Sequence, residues 1–204
     1  MYLFSLIYLL LTIPAEETGS RLSHHLAPVL LSDRSNVKLI ELTRIGAFGI
    51  VRKARPQVPE HLHTGIDIKR PTGNYRDEPI FPIASGVVIS KREDGPYAQL
   101  IIEHKADGFM FWTVYEHIAE IKVGLNQSVN PFQPIARFFN TAELDQHGWQ
   151  FDHFHFEVLK KRPMKIIPPG RTPHRHYHSY SLTCYTYQQL SDHFHDPISF
   201  LNTL

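Results

Sequence analysis

Residues 151–159 read FDHFHFEVL, and the alternation in this stretch decides the fold. Phe154, Phe156 and Val158 share one parity, and His153, His155 and Glu157 share the other. Successive side chains of a strand point to opposite faces. The stretch is therefore a half-buried strand, with its apolar face on a core and its polar face on a cleft or solvent. Working outward, VKLIEL (37–42), FGIVRKA (48–54), GIDIK (65–69), GVVISK (86–91), AQLIIEH (98–104) and FMFWTVYEH (109–117) share its β-branched and aromatic character. PTGN, REDGP, KADG and VNPFQP stand between them as turn formers. Fifteen prolines disfavour long helices, and 187–194 is the one late helix candidate. The expected fold is all-β: an antiparallel sheet folded as a barrel/sandwich hybrid, with short helices only and long loops around a cleft.

The 204 residues suffice for one domain with a proper core. A net charge of +1 with histidine neutral gives no basic excess for nucleic acid. The single cysteine, Cys184, excludes an internal disulfide and cysteine-rich zinc sites. Residues 2–15, YLFSLIYLLLTIPA, form an apolar run shorter than the roughly 20 residues a spanning helix needs. The run reads as a secretory signal ending at Ala15, so residues 1–15 are expected to be removed. Residues 16–36 are a linker or N-terminal extension, and 37–204 the domain. Export to the periplasm, envelope or exterior follows, with no stable membrane insertion after removal.

Fourteen histidines raise the prior for a metal site without locating it. His-x-His spacing occurs at His61/His63, His153/His155, His174/His176 and His193/His195. On a strand, such a pair aims both rings at one side. In HLHTGID, His63, Gly65 and Asp67 share parity, and Gly65 clears the space an ion would fill. His and Asp are both good zinc ligands; the bland alternative is a surface pair flanking a turn. In FDHFHFEVL the bland alternative is a wet strand face. His117 and His104 each end a strand, which by itself marks ordinary strand-end histidines. HRHYH (174–178) lies among arginines and reads as surface or cleft rim, and His193/His195 reads as structural.

These motifs resemble the lysostaphin-type zinc metalloendopeptidases, which cut peptide cross-links in bacterial cell walls. His63-Thr-Gly65-Ile-Asp67 matches the family's H-x-G-x-D. His153-Phe-His155-Phe-Glu157 matches its H-x-H-F-E, and Tyr115-Glu-His117 its Y-x-H. FGIVR, IASGVV and DPISFL resemble supporting marks in the same order. The resemblance implies one Zn²⁺ per chain held by His63, Asp67 and His155, with a fourth position left for water. It implies that His153 and His117 are catalytic, one as general base and the other stabilising charge, in either assignment. It implies peptidoglycan stem peptides or cross-bridges as partners. The alternative is a non-catalytic relative that binds peptidoglycan or activates another hydrolase. The segments 129–135 and 138–152 depart from the family's glycine-rich pattern, and 160–195 is a long aromatic, histidine-rich stretch expected to be a lid, a docking surface or a loop.

Overall fold

The computed structural model describes residues 25–106 and 108–203. The apolar N-terminal run lies outside the described residues. One sheet carries the architecture. Its strands are β1 (Ile66–Lys69), β2 (Gly86–Arg92), β3 (Gln99–Ala106), β4 (Phe109–Glu116), β5 (Ser128–Val129), β6 (His153–Leu159) and β7 (Phe194–His195). All pairings are antiparallel, in the order β7-β6-β4-β3-β2-β5. β1 lies end to end with β7 on the free edge of β6, since His155 pairs with both Asp67 and Glu116. Among the described residues the strands form no closed barrel. The antiparallel sheet is covered on both faces instead.

Strand parity sets the two layers. Phe154, Phe156 and Val158 join Phe111, Tyr115, Leu100 and Ile102 in the larger core. Residues from the N-terminal side complete it. Ala27 and Val29 are buried there, Val29 bridges Ile80, and Leu26 N–H donates to Ile83 O at 2.9 Å. On the opposite face Leu159, Trp112, Val114 and Ile101 meet Cys184, Leu190 and Phe194. The later part of the stretch 160–195 packs on this face, whereas 166–176 contains neither strand nor helix and is a loop. Tyr177, Tyr180, Cys184, Leu190 and Phe194 form the second covering layer, because the distal half of that face is apolar and must be buried.

Three helices are short, as the prolines require. They are α1 (Thr141–His147), α2 (Tyr187–His193) and α3 (Pro197–Leu201). α2 falls where the sequence places a late helix. α1 begins at a capping box in which Asn140 accepts from Glu143 N–H and Glu143 accepts from Asn140 N–H. That signal is present in the sequence as N-x-x-E. Residues 37–42 are not a strand. Val37–Leu39 is a 3-10 turn, with the Asn36 side chain accepting from Lys38 N–H, and only Leu42 touches the sheet, by a bridge to Ile68. Local capping outweighs β-branched character there.

Candidate metal and catalytic site

β1 and β6 bring the two motifs together by register. His155 is the cross-strand partner of Asp67, and His153 that of Lys69. His63 enters from the turn before β1, where its backbone N–H donates to Ile50 O. Three atoms converge. His63 Nε2 lies 3.1 Å from Asp67 Oδ1 and 3.0 Å from His155 Nδ1, and His155 Nδ1 lies 3.1 Å from Asp67 Oδ1. A tetrahedral ion with bonds of about 2.0–2.2 Å needs ligand edges of roughly 3.3–3.6 Å. The triad fits such an ion after opening by a few tenths of an ångström, and these three residues form a group that could hold a metal.

The remaining ring nitrogens are committed, which fixes the tautomers a ligand needs. His63 Nδ1–H donates to Ala47 O at 2.8 Å, leaving Nε2 with a lone pair. His155 Nε2–H donates to Glu157 Oε1 at 3.0 Å, leaving Nδ1. Glu157 is fully buried and also accepts from Thr64 Oγ1 and Ser179 Oγ, both at 2.5 Å. A carboxylate behind a ligand histidine orients the ring and raises its basicity. Arg52 donates to Asp67 Oδ2, so the other carboxylate oxygen, Oδ1, is the one facing the histidines.

Charge follows the same pattern. Burial opposes a charge on His155, yet its hydrogen bonds to Asp67 and Glu157 outweigh this and raise its pKa to about 10. His63 is pushed below the usual histidine value, chiefly by burial. Asp67 is held ionised, well below the ordinary carboxylate range, because its bonds to His155 and His63 overcome burial. The pocket therefore stabilises one positive charge at the convergence of the three atoms. A cation suits that place.

Gly65 has a different role from the one its parity implies. A Cβ there would meet Phe156 O at 2.2 Å and His155 Cε1 at 2.9 Å. The glycine allows β1 to approach the β6 backbone and the back of the His155 ring; the space it leaves is filled by protein.

His153 and His117 stand beside the triad. His153 Nε2 is 3.8 Å from Asp67 Oδ1, beyond hydrogen-bond range. The His117 and His153 rings lie 5.4 Å apart, edge to face. His117 follows the last residue of β4 with φ of 62°, a left-handed conformation uncommon outside glycine. Its Nδ1–H donates to Pro96 O at 2.6 Å, leaving Nε2 free to accept. Phe151 and Tyr97 flank the ring at 4.9 and 5.7 Å. Burial holds both histidines below the normal value, His153 at about 4. Both are neutral at neutral pH.

The sequence reading singled out the triad and both flanking histidines, and the fold gathers all five. It missed Arg52, Thr64 and Ser179, which act behind the triad. Glu157 carried a signal, since it shares the parity of His155. Arg52 sits in FGIVR, but nothing in that stretch indicates a contact with Asp67. His61 bonds Pro59 O and stays out of the triad.

Comparison with known proteins agrees with this geometry. The model of peptidase family M23 matches residues 61–166, just over half of the chain, and the protein belongs to that family. Two structures of lysostaphin, one of them from Staphylococcus simulans, share 16% identity with it at a TM-score of 0.51. They cover 88% of this chain and 54% and 55% of lysostaphin. This likeness is one of fold. A zinc containing peptidase from Vibrio cholerae is 26% identical over 66% of this chain and 36% of its own, with a TM-score of 0.45. The chain thus spans about half the length of lysostaphin and about a third of the Vibrio protein. No curated protein matches.

Proposed function

We propose that the protein is a zinc metalloendopeptidase that hydrolyses peptide cross-links of bacterial peptidoglycan. The observation that carries the reading is the convergence of His63 Nε2, Asp67 Oδ1 and His155 Nδ1 within about 3 Å of one another, with two neutral histidines alongside. Three protein ligands of this type match a catalytic zinc site, which keeps a fourth position open. One Zn²⁺ per chain would supply Lewis acidity and lower the pKa of water at that position.

The protein's own groups do the rest. Arg52 and Glu157 hold the ligand side chains in one orientation, so little reorganisation accompanies reaction. His117, fixed through Nδ1–H by Pro96 O, presents a bare Nε2 and takes the proton of the attacking water. His153, adjacent in space, stabilises the oxygen on which negative charge develops. The aromatic rings of Phe151 and Tyr97 bound the cleft and limit water beside His117. Peptidoglycan lies outside the cytoplasmic membrane, so the reading places the protein in the cell envelope or beyond it. No described helix is long and apolar enough to cross a membrane.

The test is zinc stoichiometry of the purified protein together with mass analysis of digested peptidoglycan. One zinc per chain with new peptide termini supports the proposal and names the bond. Zinc bound without cleavage of any wall preparation would leave the non-catalytic alternative in its place.

A further inference from the structure

Pairing registers lay a row of side chains across five strands on the face that carries the triad. Asp67 on β1 pairs with His155 on β6, His155 with Glu116 on β4, Glu116 with Gln99 on β3, and Gln99 with Arg92 on β2. Directly paired residues share a face. Three strand spacings separate His155 from Arg92, about 14 Å, which about four extended residues span. Tyr97 links the two ends along the surface. Its half-exposed ring lies 5.7 Å from the His117 ring and 5.7 Å from the Arg92 guanidinium carbon.

Two more arginines meet this far end. Arg171 is four-fifths exposed and 4.0 Å from Asp94, the carboxylate that also bonds Arg92. Arg175 is half-buried, and its backbone is pinned to β2 on both sides. Lys91 N–H donates to His174 O at 3.0 Å, and Tyr177 N–H donates to Ser90 Oγ at 3.1 Å. Its side chain makes no hydrogen bond or ion pair with any described residue, and its Nε is buried without a partner. Glu116, the other nearby carboxylate, accepts from Gln99 at 2.5 Å. Burial, followed by repulsion from Arg92, holds the Arg175 guanidinium below its usual value; Glu116 and Asp94 oppose this and Arg171 adds to it. A rigidly placed, half-buried and unpaired guanidinium costs free energy that an incoming carboxylate offsets.

We propose that Arg175, with Arg92 and Arg171, forms a subsite for a free carboxylate of the peptide substrate, about four residues along the chain from the scissile bond. The inference rests on the peptidase reading for the nature of the substrate. It makes the protein selective for acidic or carboxylate-ended peptides over their amidated forms.

Direct binding tests it. The probe is a pentapeptide with a reduced, uncleavable bond, prepared with a C-terminal carboxylate or amide and titrated into zinc-loaded and zinc-stripped full chain. The carboxylate form should bind about tenfold more tightly in both states. Arg175→Gln should remove that difference, Arg175→Lys should restore part of it, and Arg171→Gln, an exposed change that spares folding, should reduce it two- to threefold. Equal binding of the two peptides by the wild type, or an undiminished difference in Arg175→Gln, overturns the subsite. Cleavage of the unreduced peptide is followed in parallel. Selective binding with no cleavage would defeat the peptidase reading and leave the subsite standing.

Discussion

His155 and His104 lie on opposite faces of the same sheet, the first largely and the second fully buried, and their surroundings differ. His104 has both ring nitrogens satisfied, with Nδ1–H donating to Ser85 O at 2.9 Å and Nε2 accepting from Thr113 Oγ1 at 2.8 Å. Its ring stacks on Phe111 at 4.6 Å. Among the described residues no carboxylate bonds it, and burial lowers its pKa to about 4. His155 gives one nitrogen to Glu157 and aims the other at Asp67 and His63. Burial is common to both. A ligand histidine is distinguished by a carboxylate behind one ring nitrogen and a second nitrogen aimed at other ligand atoms. A structural histidine has no lone pair left to offer.

The contrast can be broken from the His155 side first. Asp67→Asn or His63→Ala should abolish zinc binding and reduce turnover by at least about a thousandfold, read by elemental analysis and peptidoglycan release. The next largest effect separates binding from chemistry. His153→Ala and His117→Ala should keep zinc while lowering turnover by roughly 10²- to 10⁴-fold. Full activity in either variant would remove that residue from the mechanism. Glu157→Gln should weaken zinc affinity by about 10- to 100-fold, measured by chelator competition, because the imidazole loses its charged acceptor. A variant that binds zinc as well as the wild type would make Glu157 a packing residue.

The His104 side should show the reverse pattern, with stability altered and zinc untouched. His104→Gln should cost about 1–3 kcal/mol in denaturant unfolding. The wild-type histidine also adds pH dependence of a definite sign. Its folded pKa of about 4 lies below the unfolded value of about 6.5, so the unfolded chain takes up the proton first as pH falls. The contribution is fully present above about pH 6.5, declines as pH falls and is lost below about pH 4. Its ceiling is about 3 kcal/mol. The stability gap between wild type and His104→Gln should therefore narrow between pH 7 and pH 4, and a gap that widened would contradict the burial argument.

Parity along 151–159 was enough to orient β6, because period-two alternation leaves one arrangement with Phe154 and Phe156 inside. The same reasoning put His63, just before β1, on the same side of the chain as Asp67 within it. It misread 37–42, where an Asn36 cap outcompetes β-branched residues, and it passed over the N-x-x-E cap of α1. The function of 160–195 was not legible, since aromatic and histidine-rich composition fits a surface loop as well as a second core layer. The layer exists because Leu159, Trp112 and Ile101 leave apolar surface on the far half of the face that carries His155.

The sequence by itself determined the antiparallel β class, the five histidine and aspartate positions and the parity that aims them. These are local properties, set by the two-residue period of a strand and by residue chemistry. Tertiary structure alone decided which nitrogen of each ring is free, since that depends on Ala47 O, Glu157 and Pro96 O arriving from elsewhere in the chain. It alone brought Ser179 onto Glu157 from 22 residues away, Arg52 onto Asp67, and Arg175 to the end of the row that begins at the triad. Contacts across such separations are fixed by register and packing, and neither is written in any one stretch of the chain.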